Sequence, residues 1–224
     1  MTSPFEPRSG LFISFEGTEG SGKTTQMRLL VEQLRANGWV VAENQEPGAT
    51  NIGHQIRRIL LDPTHQEMAS MTELLLMFAS RTQGAAEIIV PALERGEIVV
   101  SDRFTDSTLA YQGEARELGF DIVLAVHRLT LGSLLPDLTL CLDIDVETGL
   151  ERAHRRNRER DGDNREARID QQSLAFHQRV REGYQKIAAL EPDRFRLMDA
   201  NAAAEAVAAR IWREVSPRLP PKSR

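Results

Sequence analysis

Short apolar runs alternate along the chain with longer stretches in which apolar residues recur every three or four positions. The short runs predict five strands, at Leu11–Phe15, Trp39–Glu43, Ile98–Ser101, Leu138–Leu142 and Phe195–Met198. The longer stretches predict seven helices, at Lys23–Ala36, Ile52–Leu61, Glu67–Arg95, Phe120–Gly132, Val146–Arg156, Gln171–Leu190 and Ala202–Val215. The two most apolar strands, IVVSD and LTLCLD, lack strict alternation, as expected of strands that are covered on both faces. This order predicts an α/β fold, a three-layer, doubly wound parallel sheet, in a single domain over residues 1–224.

Polar segments follow four of the predicted strands. They are GTEGSGKT, ENQEPG, DRFTDS and DIDVE. In an open α/β sheet, ligands bind beyond the carboxyl ends of the strands, which is where these four segments meet. The sequence therefore predicts a site at this edge.

Residues 17–24, GTEGSGKT, satisfy the pattern G-x-x-x-x-G-K-[ST] between a strand and a helix. In such a loop, backbone N–H groups and the helix N-terminus bind phosphate oxygens. Lys23 is expected to bridge the β- and γ-phosphates of ATP, and the Thr24 hydroxyl to bind Mg²⁺. The predicted ATP-binding residues of the loop are Gly17, Thr18, Glu19, Gly20, Ser21, Gly22, Lys23, Thr24 and Thr25.

The residues after the third strand narrow the class of nucleotide-binding protein. A GTPase needs the guanine-reading motif N-K-x-D, and none of the three lysines stands in one. Motor ATPases usually end this strand in two acidic residues, whereas here Asp102 is followed by Arg103. Asp102 can hold the Mg²⁺ shell, but an arginine repels the metal and is better suited to a second phosphate. An ordinary surface ion pair is the alternative interpretation of these two residues.

Composition and charge limit the partners. The net charge of −5 argues against a general nucleic-acid surface. The single cysteine, Cys141, excludes an internal disulfide and lies in an apolar run, which indicates a buried, inert thiol in a reducing compartment. No segment approaches the roughly 20 apolar residues of a membrane span, and the first residues lack a signal-like apolar stretch. We expect a cytoplasmic, soluble protein that binds neither membrane nor nucleic acid.

Several motifs in order resemble bacterial thymidylate kinase, over residues of about 10–200. They are FEGTEGSGKTT, QEPGAT, ELLLMFASRTQ, SDRFTDSTLAYQG, LLPDLTLCLDID and ARIDQQSLAFHQRVREGYQ. The resemblance implies the fold of the P-loop NTP hydrolases and nucleoside monophosphate kinases. It implies transfer of the γ-phosphoryl group of ATP to dTMP, giving dTDP for dTTP synthesis and DNA replication. It also implies Mg²⁺ and a homodimer.

The resemblance assigns the acceptor's phosphate and sugar. Arg103 and Arg57 stand where the family binds the phosphate of dTMP, with Arg58 as an alternative to Arg57. Glu19 stands where the family receives the 3′-hydroxyl, and a carboxylate there accepts a hydrogen bond while repelling a 3′-phosphate. Glu46 is a weaker candidate, acting through Mg²⁺ or water.

The resemblance also assigns the base pocket. Phe78 and Arg81 are expected to stack on thymine and to bond a base carbonyl. The family spaces this aromatic residue and arginine by four, whereas here the spacing is three and Met77 occupies the fourth position. Further expected pocket residues are Ser107, Thr108, Tyr111 and Gln112. Tyr111 would crowd the 2′ position and so favour deoxyribose.

Residues 152–168 carry seven arginines against four acids. Such a run is usually a solvated helix face or a loop, but in this family it forms a lid over ATP. Some members place a catalytic arginine after the position of Glu19, where this chain has Gly20, so the lid is expected to supply it. We expect Arg158 and Arg168 to be catalytic beside Lys23 and Asp102, and Arg152 to lie near the adenine.

Two alternatives stay open at this stage. One is a related kinase acting on a deoxynucleoside or another monophosphate. The other is a catalytically silent nucleotide-binding switch or regulatory subunit. Residues 1–10 are expected to be flexible, and residues 217–224 to form a frayed tail.

Overall fold

The computed structural model describes residues 9–159 and 168–221, without the side chains of His154 and of residues 156–159. Five parallel strands form one sheet in the order β2-β3-β1-β4-β5. The strands are β1 Leu11–Gly17, β2 Val41–Gln45, β3 Ile98–Asp102, β4 Leu138–Asp143 and β5 Phe195–Asp199. The prediction of a doubly wound parallel α/β sheet is confirmed.

Helices cover both faces of this sheet. They are α1 Lys23–Ala36, α2 Asn51–Leu61, α3 Ser70–Gly84, α4 Val90–Glu94, α5 Thr105–Thr108, α6 Phe120–Leu131, α7 Val146–Glu159, α8 Leu174–Leu190 and α9 Ala204–Val215. Two π-helical turns, Ala85–Ile89 and Leu109–Ala115, and a 3₁₀ turn, Ser216–Arg218, complete the described elements.

Three predictions of local structure differ from the molecule. The helix predicted over Glu67–Arg95 starts later and divides at a π-helical turn just before Pro91, which lacks the N–H of a regular helix. The strand predicted from Trp39 begins at Val41 because Val40 is 58% exposed and lies outside the core. Segment 105–115, predicted only as polar site residues, is helical throughout.

Alternate residues of the central strand β1 face two separate cores. Ile13 and Phe15 pack with α1 and α9, and Phe12 packs with α2, α3, α6 and α8. On the Phe12 side the strand continues with Ser14 and Glu16, both fully buried. Polarity on that face therefore rises toward the carboxyl end of the sheet, where the candidate site lies.

The C-terminal tail is ordered further than expected. Leu219 packs against the core on the α1 side, and Trp39 Nε1 donates to Pro220 O at 3.2 Å. Most of the expected flexible N-terminus, the central part of the expected lid and residues 222–224 lie outside the described residues. Among the residues that are described, no helix is long and apolar enough to span a membrane.

Candidate active site

The predicted phosphate loop joins β1 to α1. Gly22 precedes the helix with φ at 92°, a left-handed conformation that glycine adopts without steric cost. Lys23 Nζ donates to Gly17 O at 2.9 Å and to Thr18 O at 3.0 Å, so the lysine lies along its own loop. Thr24 and Thr25 are exposed at the first turn of α1, where backbone N–H groups point outward.

Backbone contact joins this loop to the first turn of α7. A Cβ atom at Gly20 would lie 1.9 Å from Gly149 O, and one at Gly149 would lie 2.5 Å from Glu19 O. No side chain therefore fits at position 20, which explains physically why this chain carries no arginine there. Any displacement of α7 has to act directly on the phosphate loop.

The pKa of Lys23 is lowered to about 8, first by burial and next by the positive charge of Arg103, against the opposing negative charges of Glu19 and Asp102. The lysine is thus close to these three charged groups at the carboxyl edge of the sheet. Asp102 ends β3, and its carbonyl accepts from Glu46 N at 2.9 Å. Three of the predicted site residues, Lys23, Glu19 and Asp102, therefore lie close together.

Arg103 has a strained backbone that aims its side chain at the loop. Its φ is 71°, which costs a non-glycine residue about 1–2 kcal/mol. The conformation is held because Arg103 N donates to Phe15 O at 2.9 Å and Ser101 Oγ donates to Arg103 O at 2.6 Å. Strain of this kind concentrates at functional sites.

The guanidinium of Arg103 meets four side chains. Nη1 donates to Ser107 Oγ at 3.0 Å and to Tyr184 OH at 3.2 Å. Nη2 donates to Glu19 Oε1 at 2.9 Å and to Tyr111 OH at 3.2 Å, and the Arg103 Cζ lies 4.9 Å from the centroid of the Tyr111 ring. The arginine is therefore oriented from three elements: the phosphate loop, segment 105–115 and α8.

Glu19 accepts hydrogen bonds on both carboxylate oxygens. Besides the bond from Arg103, the Tyr111 hydroxyl lies 2.9 Å from Oε1 and 2.8 Å from Oε2. Burial alone would raise the pKa of Glu19, but His177 and the charges of Arg103 and Lys23 hold it well below its usual range. Glu19 is therefore ionised at neutral pH.

A second carboxylate, Glu16, lies beneath Arg103 and is missing from the predicted site. It accepts from Phe104 N at 2.7 Å, from Tyr184 OH at 3.1 Å and from the Ser107 hydroxyl. Burial, and next the charge of Asp106, raise the pKa of Glu16 to about 7. Its position as the last side chain on the buried face of β1 is the sequence signal that could have identified it.

Tyr184 and His177 of α8 were also missed as site residues. They stand seven positions apart on the buried face of the helix, together with Phe176 and Val180. Polar residues spaced by seven within an apolar helix face are the signal that could have identified them.

Arg81 lies fully buried under the segment after β3. Nε pairs with Glu46 Oε2 at 2.5 Å, and Nη2 donates to Phe104 O at 3.1 Å and to Thr108 Oγ1 at 2.9 Å. Nη1 is buried and has no hydrogen-bond partner among the described residues. Arg81 therefore retains one donor without a partner, but this nitrogen is enclosed by protein in the present structure.

The predicted role of Phe78 in stacking on a base is wrong for this geometry. Its side chain is 1% exposed and packs in the core against His127, at 6.3 Å between ring centroids, and under the guanidinium of Arg81. Its ring is enclosed by protein, so a nucleobase cannot stack on it. Met77, one residue earlier, is only partly buried and is the alternative that the spacing left open.

The other residues predicted to bind the acceptor differ in where their side chains lie. Arg57 Nη1 donates to Pro47 O at 2.9 Å, which places Arg57 over the loop after β2, whereas Arg58 is exposed. Gln112 is buried, but its amide donates to Glu73 Oε1 at 2.7 Å, so this donor is directed at α3 and not at Arg103.

The expected lid arginines also differ from one another. Arg152 is exposed on α7, and the side chain of Arg158 lies outside the described residues. The expectation that Arg168 is a catalytic lid residue is not what the structure shows. Arg168 is 2% exposed, pairs with Glu73 Oε2 at 2.6 Å and donates to Leu60 O. In this state it anchors the end of the expected lid segment to α2 and α3.

Among the described residues, no group of three or more His, Cys, Asp or Glu side chains could hold a metal ion by itself. The exposed Thr24 hydroxyl and the Asp102 carboxylate supply hard oxygen donors at the loop. Mg²⁺ usually keeps several waters and binds one or two protein oxygens together with substrate phosphates. The two residues therefore fit a magnesium ion that arrives with a nucleotide.

Comparisons with known proteins identify chains similar to this one. The family model for thymidylate kinase matches residues 15–211. A thymidylate kinase of Pelobacter propionicus is 47% identical over 206 residues, 92% of this chain and 94% of the relative, and one of Geobacter sulfurreducens is 46% identical over 94% and 99%. The crystal structure of thymidylate kinase from Ehrlichia chaffeensis is similar at a TM-score of 0.74 and 30% identity, covering 94% of this chain and 100% of that one.

Proposed function

Because the chain belongs to the thymidylate kinase family and transfers the γ-phosphoryl group of ATP to dTMP, we propose how its own residues divide that task. The position of Arg103 is the observation on which this proposal mainly depends. Its guanidinium lies beside the phosphate loop, bonded to Glu19, and shares a buried cluster with Lys23. Two groups of phosphates meet there and their mutual repulsion has to be offset.

The donor side consists of the phosphate loop and Lys23. The N–H groups of residues 17–25 bind the phosphates of ATP, and Lys23 leaves its own carbonyl partners to contact the β- and γ-phosphates. Thr24 and Asp102 would hold Mg²⁺, which supplies positive charge to the phosphate oxygens. Lys23 and Asp102 are the residues of the described structure to which we assign a direct catalytic role.

The acceptor side consists of Arg103, Arg57, Arg81 and Glu19. Arg103 and Arg57 bind the phosphate of dTMP and orient one of its oxygens toward the γ-phosphorus. The unpartnered Nη1 of Arg81 donates to a thymine carbonyl once the pocket has opened to admit the base, and Thr108 fixes the guanidinium. Glu19 accepts from the 3′-hydroxyl, and the Tyr111 ring excludes a 2′-hydroxyl. Because the acceptor oxygen is already anionic, no general base is needed.

The lid completes the charge balance. Gly20 cannot carry a side chain beside Gly149, so a further cation has to come from the arginine-rich segment. We assign this role to Arg158, and the adenine side to Arg152. An arginine in this role contributes on the order of 10³–10⁵ in rate. Closure of the lid also excludes water and so limits ATP hydrolysis.

A homodimer is part of the proposal. Exposed apolar side chains lie on three helices that pack in succession, α2, α3 and α6. They are Ile52, Ile59, Met71, Leu75, Ile122 and Leu129. A second copy of this chain would bury such a surface.

The free, buried thiol of Cys141 fits a reducing compartment, so we propose a cytoplasmic location.

The test is ADP release with ATP and Mg²⁺ and, in parallel, dTMP, dUMP, dCMP or dGMP. We expect turnover to be fastest with dTMP. Lys23→Ala should lower kcat by about 10²–10³, the usual effect of removing a group that stabilises developing charge. Absence of turnover with all four acceptors, despite ATP binding, would leave a silent nucleotide-binding protein and overturn the assignment.

A further inference from the structure

His177 is a buried side chain without the contacts that buried histidines usually have. It lies on α8 at 0% exposure, and neither ring nitrogen has a hydrogen-bond partner among the described residues. Its neighbour Phe176 packs edge-on against the ring, at 5.5 Å between centroids. Burying a polar group without a partner costs free energy, so such a group in a native protein calls for an explanation.

The carboxylate of Glu19 is a charged group that lies next to this ring. His177 Nδ1 lies 3.6 Å from Glu19 Oε2, just outside hydrogen-bond distance. In this state the carboxylate is held by Arg103 and by Tyr111. A donor is therefore positioned next to an acceptor that other groups already occupy.

Substrate binding would change which groups donate hydrogen bonds to Glu19. If Arg103 turns its guanidinium to the acceptor phosphate, Glu19 loses its charged donor while it remains largely buried, at 10% side-chain exposure. Tyr111 still donates to it, but a largely buried carboxylate that loses its charged donor is less well stabilised. His177 Nδ1, 3.6 Å from Oε2, already influences the carboxylate and needs to move only a few tenths of an ångström to replace the donor that is withdrawn.

We propose that His177 is a positioning residue for the acceptor: when dTMP withdraws Arg103 from Glu19, the His177 ring donates to Glu19 Oε2 and holds the carboxylate toward the 3′-hydroxyl. This rests on the proposed function, in which Arg103 binds phosphate and Glu19 binds the sugar. The histidine does not touch substrate and acts through Glu19. Its effect is therefore confined to acceptors that carry a 3′-hydroxyl.

The experiment compares His177→Phe with wild type on two acceptors, dTMP and 3′-deoxythymidine 5′-monophosphate. We expect the variant to raise KM for dTMP about tenfold, the effect of losing one hydrogen bond to a charged group. KM for the 3′-deoxy acceptor and KM for ATP should stay within about twofold. His177→Gln, which keeps a donor, should recover most of the dTMP value. Equal increases in KM for both acceptors, or no increase, would overturn the proposal.

His127→Phe is the matched control, because His127 is also buried but bonds Thr105 at 3.0 Å in another part of the core. It should change thermal stability without changing the ratio of the two acceptors. The effect of His177→Phe should also disappear in a Glu19→Ala background, since the acceptor on which His177 acts is gone. An undiminished effect in that background would contradict the proposal.

Wild-type protein provides a test that does not depend on a variant folding. With ¹⁵N-labelled histidine, dTMP should convert the Nδ1 signal of His177 to that of a hydrogen-bonded donor, and 3′-deoxythymidine 5′-monophosphate should do so less. An unchanged Nδ1 signal at saturating dTMP would overturn the inference. Failure of the wild type to phosphorylate dTMP would overturn the proposed function instead, so the two failures are distinguishable.

Discussion

Glu19 lies near two cations to which the proposed function assigns different phosphates, Lys23 those of ATP and Arg103 that of dTMP. Arg103 is bonded to it, and Lys23 is close enough for each charge to alter the pKa of the other. In the proposed function, the carboxylate offsets the repulsion of these two partly buried positive charges until phosphates replace it. This explains why a site for anions contains an acid.

The pKa of Lys23 makes this balance measurable. Burial and Arg103 lower it to about 8, so the lysine is charged below that pH and neutral above it. Because the charged form binds phosphate, kcat/KM for ATP should fall above about pH 8, approaching tenfold per pH unit. A steady-state pH profile measures this, since kcat/KM reports ionisations of the free enzyme.

Glu19→Ala provides the control for this assignment. Removing the negative charge that opposes the other two effects should move the alkaline limb to lower pH. A limb that stays at the same pH in this variant would show that another group causes it.

Phe78 and Met77 are predicted to differ in what they support. Phe78→Leu should lower the free energy of unfolding by about 1–2 kcal/mol, because it replaces a buried ring in a packed core with a smaller side chain. The KM for dTMP should remain nearly unchanged. Met77→Ala should raise KM for dTMP about tenfold through loss of apolar contact. Denaturant unfolding and steady-state kinetics on both variants check this, and the reverse pattern would restore Phe78 to the pocket.

At the scale of elements, two backbone contacts connect the site to the helices around it. The phosphate loop meets α7 at Gly20 and Gly149, and α8 meets the π-helical turn at Gly183, where an added Cβ would lie 2.9 Å from Ala110 Cα. Such approaches transmit displacement because no flexible side chain lies between the elements. The proposed lid helix and the acceptor segment are thus attached to rigid neighbours.

Arg168 tests how the far end of the lid is attached. Arg168→Met removes a buried partner of Glu73, which keeps Arg116 and Gln112, so we expect a loss of about 3 kcal/mol of unfolding free energy. Chemical denaturation measures the loss. A large fall in kcat with unchanged stability would instead favour the catalytic role expected from the sequence.

Arg181→Met is the matched control for this prediction. Its pair with Asp143 is partly exposed, at 34% and 25% of the two side chains, so solvent screens it. We expect a loss below about 1 kcal/mol. Equal losses in both variants would mean that burial does not distinguish the two pairs.

At the scale of the molecule, the proposed homodimer uses the exposed apolar side chains of α2, α3 and α6. Leu75→Glu places a charge in that surface, where Leu75 is 53% exposed, and should convert the dimer to a monomer at micromolar concentration. Light scattering after size exclusion measures the mass. Leu190→Glu, a change at a 71% exposed residue on α8, should leave the mass unchanged. A monomeric wild type would contradict the proposed dimer.

Local patterns determined the parts of this protein whose geometry depends on neighbours in the chain. The strand, loop and helix around Lys23 form as the motif predicts, because phosphate-loop geometry depends on consecutive residues. Arg103 could be recognised because it directly follows a buried strand. The same reasoning predicted the parallel sheet and its functional edge.

Only the tertiary structure decided which side chains from distant segments meet. It placed Phe78 in the core and buried Arg168 against Glu73. It also brought Glu16 of β1 and Tyr184 of α8 beside Arg103, and His177 of α8 beside Glu19. Helical spacing fixes the relative directions of residues on one helix, but it does not state what the neighbouring helix presents to them. Contacts across α3, α8 and β1 depend on how whole elements pack, and that information is spread over the entire sequence.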